Sequence, residues 1–168
     1  YVSDRDRVQL DAEGSIQYGM YYWDDNYPDS HVFAEGECLR KTFDPDFMLY
    51  HTMAVDEWGH MKGADSAEYA NAVAAVGHLI AARMPEWLEK GYQVVVTADH
   101  GMNNLGIHVG TEHAQREVAL YIFSDKVENG RFEENYISQL NVAPLVCKLM
   151  GVPATEDMKQ ELEIVFSK

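Results

Sequence analysis

The sequence predicts an α/β fold, a mostly parallel sheet flanked by helices. Three observations carry that prediction. Two short apolar runs, Phe47 to Ala54 and "YQVVVTA" at 92–98, read as buried strands, the second continuous as in a parallel sheet covered on both faces. Between them lies "DSAEYANAVAAVGHLIAARMPEWLEKG" at 65–91, rich in alanine and apolar at helical spacing. Strand, helix and strand in that order form a βαβ unit, whose crossover is right-handed. Finally, both runs end in residues able to ligate metals: "VDEWGH" at 55–60 and "TADHG" at 97–101. Ligands of open α/β sheets bind beyond the carboxyl ends of the strands.

Taken in order, the chain divides into a loop-rich segment (1–45), an α/β core (46–155) and a charged tail (156–168), all within one domain. The first segment contains "YGMYYWDDNYPDSH", aromatics mixed with loop formers. Tyr21, Tyr22, Trp23 and Tyr27 read as a small satellite core rather than a substrate wall. For the central helix, Asp65 with Glu68 three residues on is a capping-box-like start. Gly91 is its stop, and Pro85 is expected to kink or divide it. "DHGMNNLGIHVGTEHAQRE" at 99–117 has no period and reads as a long loop. "VALYIF" at 118–123 is a third strand. "FEENYISQLNVAPLVCKLMG" is a helix or helix pair around Pro144, ended by Gly151 and Pro153, and Thr155 is a candidate cap for the tail.

Composition narrows the function classes. The formal net charge of −15 argues against a non-specific nucleic-acid binder, because an acidic surface repels the phosphate backbone. Most of those carboxylates read as a solvated acidic surface, and part of the charge can instead compensate bound divalent cations. No apolar run reaches membrane-spanning length. Cys38 and Cys147 are isolated thiols and fit a reducing compartment such as the cytoplasm. The chain opens on Tyr1, so a removed export leader is compatible with it.

The candidate ligands are Asp56, His60, Asp99, His100 and one of His108 and His113. Carboxylate oxygen with imidazole nitrogen suits zinc, manganese or iron, whereas magnesium and calcium prefer oxygen alone. Asp56 and His60 are four apart, so one helical turn aligns them. Asp99 and His100 are adjacent and would point to opposite faces of a regular strand. They converge only where the strand breaks, and Gly101 supplies the freedom. A single zinc site uses three or four protein ligands, so five or six favour two metals. Two metals together can clamp the attacking and leaving oxygens of phosphoryl transfer. A lone Asp after a strand is most often a cap or turn residue. A lone His is most often a hydrogen-bonded group, which is how His31, His51 and His78 read. Two such motifs at consecutive strand ends, with histidines following, are harder to assign to chance. Asn103 and Asn104 read as polar-turn residues before phosphate donors.

The ordered combination of "VDEWGH", "GADSAEY", "TADHGMNNLGIHVG" and "ISQLNVAPLVCKLMGVP" resembles the alkaline phosphatase superfamily, in its nucleotide pyrophosphatase/phosphodiesterase branch. The resemblance spans about residues 20–155. It implies an alkaline-phosphatase-like domain of which this chain is the C-terminal part, acting on a phosphate ester or nucleotide. It implies two divalent metals, zinc first, with manganese or iron also compatible. Asp56, His60 and His108 would hold one, with His113 the second choice for the late ligand. Asp99 and His100 would contribute to the other. The remaining ligand and a nucleophilic Thr or Ser are expected in the domain's N-terminal half, upstream of this chain. Ser3, Ser15, Ser30, Thr42 and Thr52 lack the strand-to-helix setting the nucleophile needs, and Asp4 and Asp6 follow no strand. The isolated chain is therefore expected to bind metal weakly and turn over slowly or not at all. The implied reaction is nucleophilic attack on phosphorus, then hydrolysis of a covalent phosphoryl or nucleotidyl enzyme. Two alternatives stand beside the hydrolase: a phosphomutase of the same superfamily, which His113 would support, and a non-catalytic metal-binding or structural module. Substrate, metal identity and oligomeric state stay open.

Overall fold

A computed structural model describes residues 8–22, 24, 26–130, 136–158, 162 and 164–167. Trp23, Ser3, Asp4, Asp6 and residues 131–135 of the expected C-terminal helix lie outside these. The chain divides into two compact units. The first comprises residues 1–85 and 98–118, the second residues 86–97 and 119–168.

The first unit opens with a hairpin, β1 (Val8–Leu10) against β2 (Tyr18–Met20), antiparallel with Gln9 opposite Gly19. Helix α1 (Asp29–Phe43) follows. Both elements correct the expectation of an irregular segment. The helix escapes pattern reading because its buried positions are Asp29, Phe33, Leu39 and Arg40, two of them charged. Each charge is satisfied internally. Arg40 donates Nε and Nη2 to the two oxygens of Glu37 at 2.9 and 2.8 Å, and Tyr50 donates its hydroxyl to the same carboxylate at 3.1 Å. Burial, and then the Glu37 charge, hold the Tyr50 phenol far above its usual range. The Phe33 ring meets Tyr50 on one side and the Arg83 guanidinium on another. Downstream of β2, Tyr22 stacks on Tyr27, Tyr27 meets His31 edge-on, and the Tyr22 hydroxyl bonds His51 Nδ1 at 2.9 Å.

Residues 47–53 do not form the predicted strand and carry no regular secondary structure. Phe47 and Leu49 are 54% and 77% exposed, and no ladder partner faces them among the described residues. An apolar run reports a tendency to be buried. The strand itself requires a neighbour to complete its hydrogen bonds. Helix α2 (Ala54–Lys62) begins directly after this segment. Helix α3 (Ala67–Glu89) runs on through Pro85, where the division between the units falls. Its cap is Ser66 rather than Asp65. Ser66 Oγ accepts from the Tyr69 amide at 3.1 Å, while Asp65 accepts from Asn104.

In the second unit, β3 (Val94–Val96) pairs with β4 (Tyr121–Phe123), Val95 opposite Ile122. The pairing is antiparallel, which corrects the expected mostly parallel sheet; the βαβ unit around the central helix lapses with the missing strand at 47–53. A parallel pair needs a crossover that returns the chain to its starting end. Residues 97–120 contain only one helical turn, α4 (His113–Arg116). A 3₁₀ turn (Gln139–Asn141) then leads into α5 (Val142–Met150), with Pro144 in the first turn, where its missing N–H is not required. Gly151 closes α5 in the left-handed conformation at φ 74°. No described helix is long and apolar enough to cross a membrane.

Candidate metal centre

All five predicted ligands and their supports lie in the first unit. Helix α2 carries Asp56 and His60 one turn apart on one face, with His60 Nε2 3.4 Å from Asp56 Oδ2. The start of α2 is held from outside the helix. Asp29, 8% exposed, accepts from the amides of Met53 at 3.2 Å and Ala54 at 3.4 Å through Oδ1. These are two of the amides that a helix N-terminus leaves without internal partners.

The loop after Val96 brings the other three residues. It is tied down on both sides. Toward α2 and α3, the Ala64 amide donates to the Asn103 carbonyl at 3.1 Å, and Asn104 donates to Asp65. Toward α4, the Gly101 amide donates to the Gln115 carbonyl at 2.9 Å, and Gln115 Nε2 donates to the Ile107 carbonyl at 3.1 Å. Gln115 is 5% exposed, and α4 itself is closed by a capping box between Glu112 and Gln115. The stretch read as a structureless loop is therefore a built element. Gly101 serves it by its size and not by its dihedral. Its φ is not positive, and a Cβ there would collide with the Ala114 carbonyl.

The three-ligand set is tight. Ligand atoms of Asp56, His60 and His108 all lie within 4.8 Å of one another. His113 lies outside this set, in α4, with Nδ1 paired to Glu117. The His108 ring stands between its neighbours, 5.0 Å from His60 and stacked at 3.7 Å on His100. His100 Nε2 in turn faces Asp56 Oδ1 at 3.7 Å and Asp99 Oδ2 at 3.6 Å. Asp99 is the open member, its side chain 74% exposed against 25% for Asp56.

Two observations test whether these residues fit a cation. His60 Nδ1 lies 2.8 Å from the Gly106 carbonyl, and His100 Nδ1 lies 2.9 Å from the Gly101 carbonyl. A carbonyl only accepts, so each ring donates from Nδ1, and the neutral ring keeps its lone pair on Nε2. Both Nε2 atoms face carboxylates. The second observation is Asp56 Oδ1, a buried oxygen without a hydrogen-bond partner among the described residues. A buried carboxylate oxygen in that state is costly unless a cation completes it. Its charge is felt nearby: burial, and then Asp56, raise the Tyr69 phenol above its usual range. The donor set of nitrogen and carboxylate oxygen suits zinc, manganese or iron.

The family model for type I phosphodiesterases/nucleotide pyrophosphatases matches residues 13–160. Among curated relatives, a mouse protein named GPI ethanolamine phosphate transferase 3, catalytic subunit, is 28% identical over 83% of the chain. A baker's yeast protein named GPI ethanolamine phosphate transferase 3 is 26% identical over 64% of it. A Wolinella succinogenes protein named 2,3-bisphosphoglycerate-independent phosphoglycerate mutase is 31% identical over 70%. The chain spans 13%, 12% and 23% of these relatives' lengths, respectively. No solved structure gives a significant match. The chain belongs to the type I phosphodiesterase/nucleotide pyrophosphatase family, within the alkaline phosphatase superfamily.

Proposed function

We propose, from this family membership, that the chain is part of the catalytic domain of a metal-dependent enzyme that cleaves phosphoric esters. In this reading Asp56, His60 and His108 hold one divalent cation, and Asp99 with His100 supplies part of a second site. The observation that carries it is Asp56 Oδ1, buried without a hydrogen-bond partner among the described residues and set among imidazoles whose Nδ1 protons are already committed to carbonyls. When bound, divalent cations supply positive charge against that developing on a transferring phosphoryl group. The chain's own residues give the site its shape. Gly106 and Gly101 aim the two rings, and Asp29 fixes the start of the helix that carries Asp56 and His60. The nucleophile is assigned to no residue of this chain.

Hydrolysis is the first reading. Transfer of the phosphoryl-containing group to an alcohol is the second, favoured by the transferase names of the mouse and yeast relatives. The mutase reading drew on His113 as the late ligand, and the pairing of that ring with Glu117, outside the three-ligand set, weighs against it.

The test uses protein carrying this chain, supplied with Zn²⁺ or Mn²⁺ and p-nitrophenyl thymidine monophosphate. Turnover is expected to need the metal and to disappear with a chelator. Phosphate-ester cleavage that persists undiminished in chelator contradicts the proposal. Product released only when an acceptor alcohol is added selects transfer over hydrolysis.

A further inference from the structure

Asn103 is a hub of the site-bearing loop. Its Oδ1 accepts from the amides of Leu105 and Ile107, both at 3.0 Å. Its own amide donates to the Ile107 carbonyl at 3.1 Å, and its carbonyl accepts from Gly106 and Ala64 at 3.1 Å each. This is an Asx-type turn, in which a short carboxamide stands in for backbone acceptors. The turn it closes contains two elements of the candidate centre. Gly106 is the carbonyl under His60, and His108 follows directly after Ile107. The turn is also narrow. Gly106 has φ 72°, and a Cβ there would stand 2.6 Å from the His60 carbonyl oxygen, so the loop approaches α2 at backbone contact.

We propose that Asn103 is a positioning residue for the metal centre. Its carboxamide fixes the turn that both orients the His60 ring, through the Gly106 carbonyl, and delivers His108 to the same point. The inference rests on the reading of Asp56, His60 and His108 as metal ligands. It adds a residue that touches no metal and that acts through two ligands at once. Asp is the informative substitute, because it keeps an acceptor at Oδ1; in place of the amide donor, which reaches Glu112 at a long 3.4 Å, it puts a second, charged carboxylate oxygen. Ala removes the acceptor. Asn104→Ala is the comparison, because it removes another tie of this loop, the one to Asp65, and leaves the turn's internal bonds in place.

The experiment measures Co²⁺ affinity from visible absorption, with amide hydrogen exchange at Leu105 and Ile107 on the metal-free proteins. Asn103→Ala is expected to weaken Co²⁺ binding about 10–100-fold, the range for groups that orient ligands. It should also speed exchange at both amides. Asn103→Asp should restore slow exchange at both amides and with it Co²⁺ binding, and Asn104→Ala should weaken Co²⁺ binding less than Asn103→Ala does. Faster exchange in Asn103→Ala with wild-type Co²⁺ affinity overturns the inference and reduces Asn103 to a loop-stabilising residue. Equal losses in Asn103→Ala and Asn104→Ala overturn it too, because general loosening of the loop would then suffice. A wild-type protein that binds no Co²⁺ overturns the metal reading itself, and this inference falls with it.

Discussion

The two halves of the candidate centre differ in how much of each is already assembled. Asp56, His60 and His108 sit within 4.8 Å of one another, on a helix capped by a buried Asp29 and a loop hydrogen-bonded to its neighbours on two sides. Asp99 and His100 share that loop, and the His100 ring is aimed in the same way as His60, yet Asp99 is largely exposed. The difference teaches that ligand identity and site completeness are separate properties. Helical spacing and a short Asx turn can bring three candidate ligands together from within 53 residues of chain, Asp56 to His108. Asp99 follows the last residue of β3 by three positions and keeps 74% of its side chain exposed.

Substitutions can break this contrast. Asp56→Ala should have the largest effect. It removes the shared carboxylate and should weaken the tightest metal site by more than the roughly 10–100-fold typical of outer-shell changes, measured by chelator competition. Asp99→Ala should leave that tight affinity unchanged and alter only a weaker, second binding event. Equal effects of the two would erase the distinction between an assembled and an exposed half. Gly106→Ala comes next. It forces a side chain into the left-handed region and against the His60 carbonyl, and should lower folding stability by about 1–3 kcal/mol in thermal or denaturant unfolding. A neutral result there would mean that the loop does not hold its close approach to α2.

The legible parts of the molecule were those governed by local spacing. The one-turn interval between Asp56 and His60, the long helix ending before Gly91 and the α5 segment ending at Gly151 all follow from periodicity and glycine stops. Asn103 in a polar turn followed from residue type. What escaped was set by tertiary partners. Helix α1 buries a Glu37–Arg40 pair, so its inner face reads as polar. Residues 47–53 have strand composition without a ladder partner among the described residues. Ser66 displaced Asp65 as the α3 cap because Asn104, 39 positions away, engages Asp65. The supporting shell of α4, with Gln115 buried beneath the loop, had no signal beyond Glu112 and Gln115 at capping-box spacing, readable only once a helix is known to start there.

The central claim is that Asp56, His60 and His108 form a metal site, and a crystal of protein carrying this chain, grown with Zn²⁺ and measured across the zinc absorption edge, tests it most directly. The account predicts a strong anomalous peak bounded by Asp56, His60 Nε2 and the His108 ring, with any second peak beside His100 and Asp99. Zinc found only at surface groups such as the His113–Glu117 pair, with none among those three residues, would contradict it.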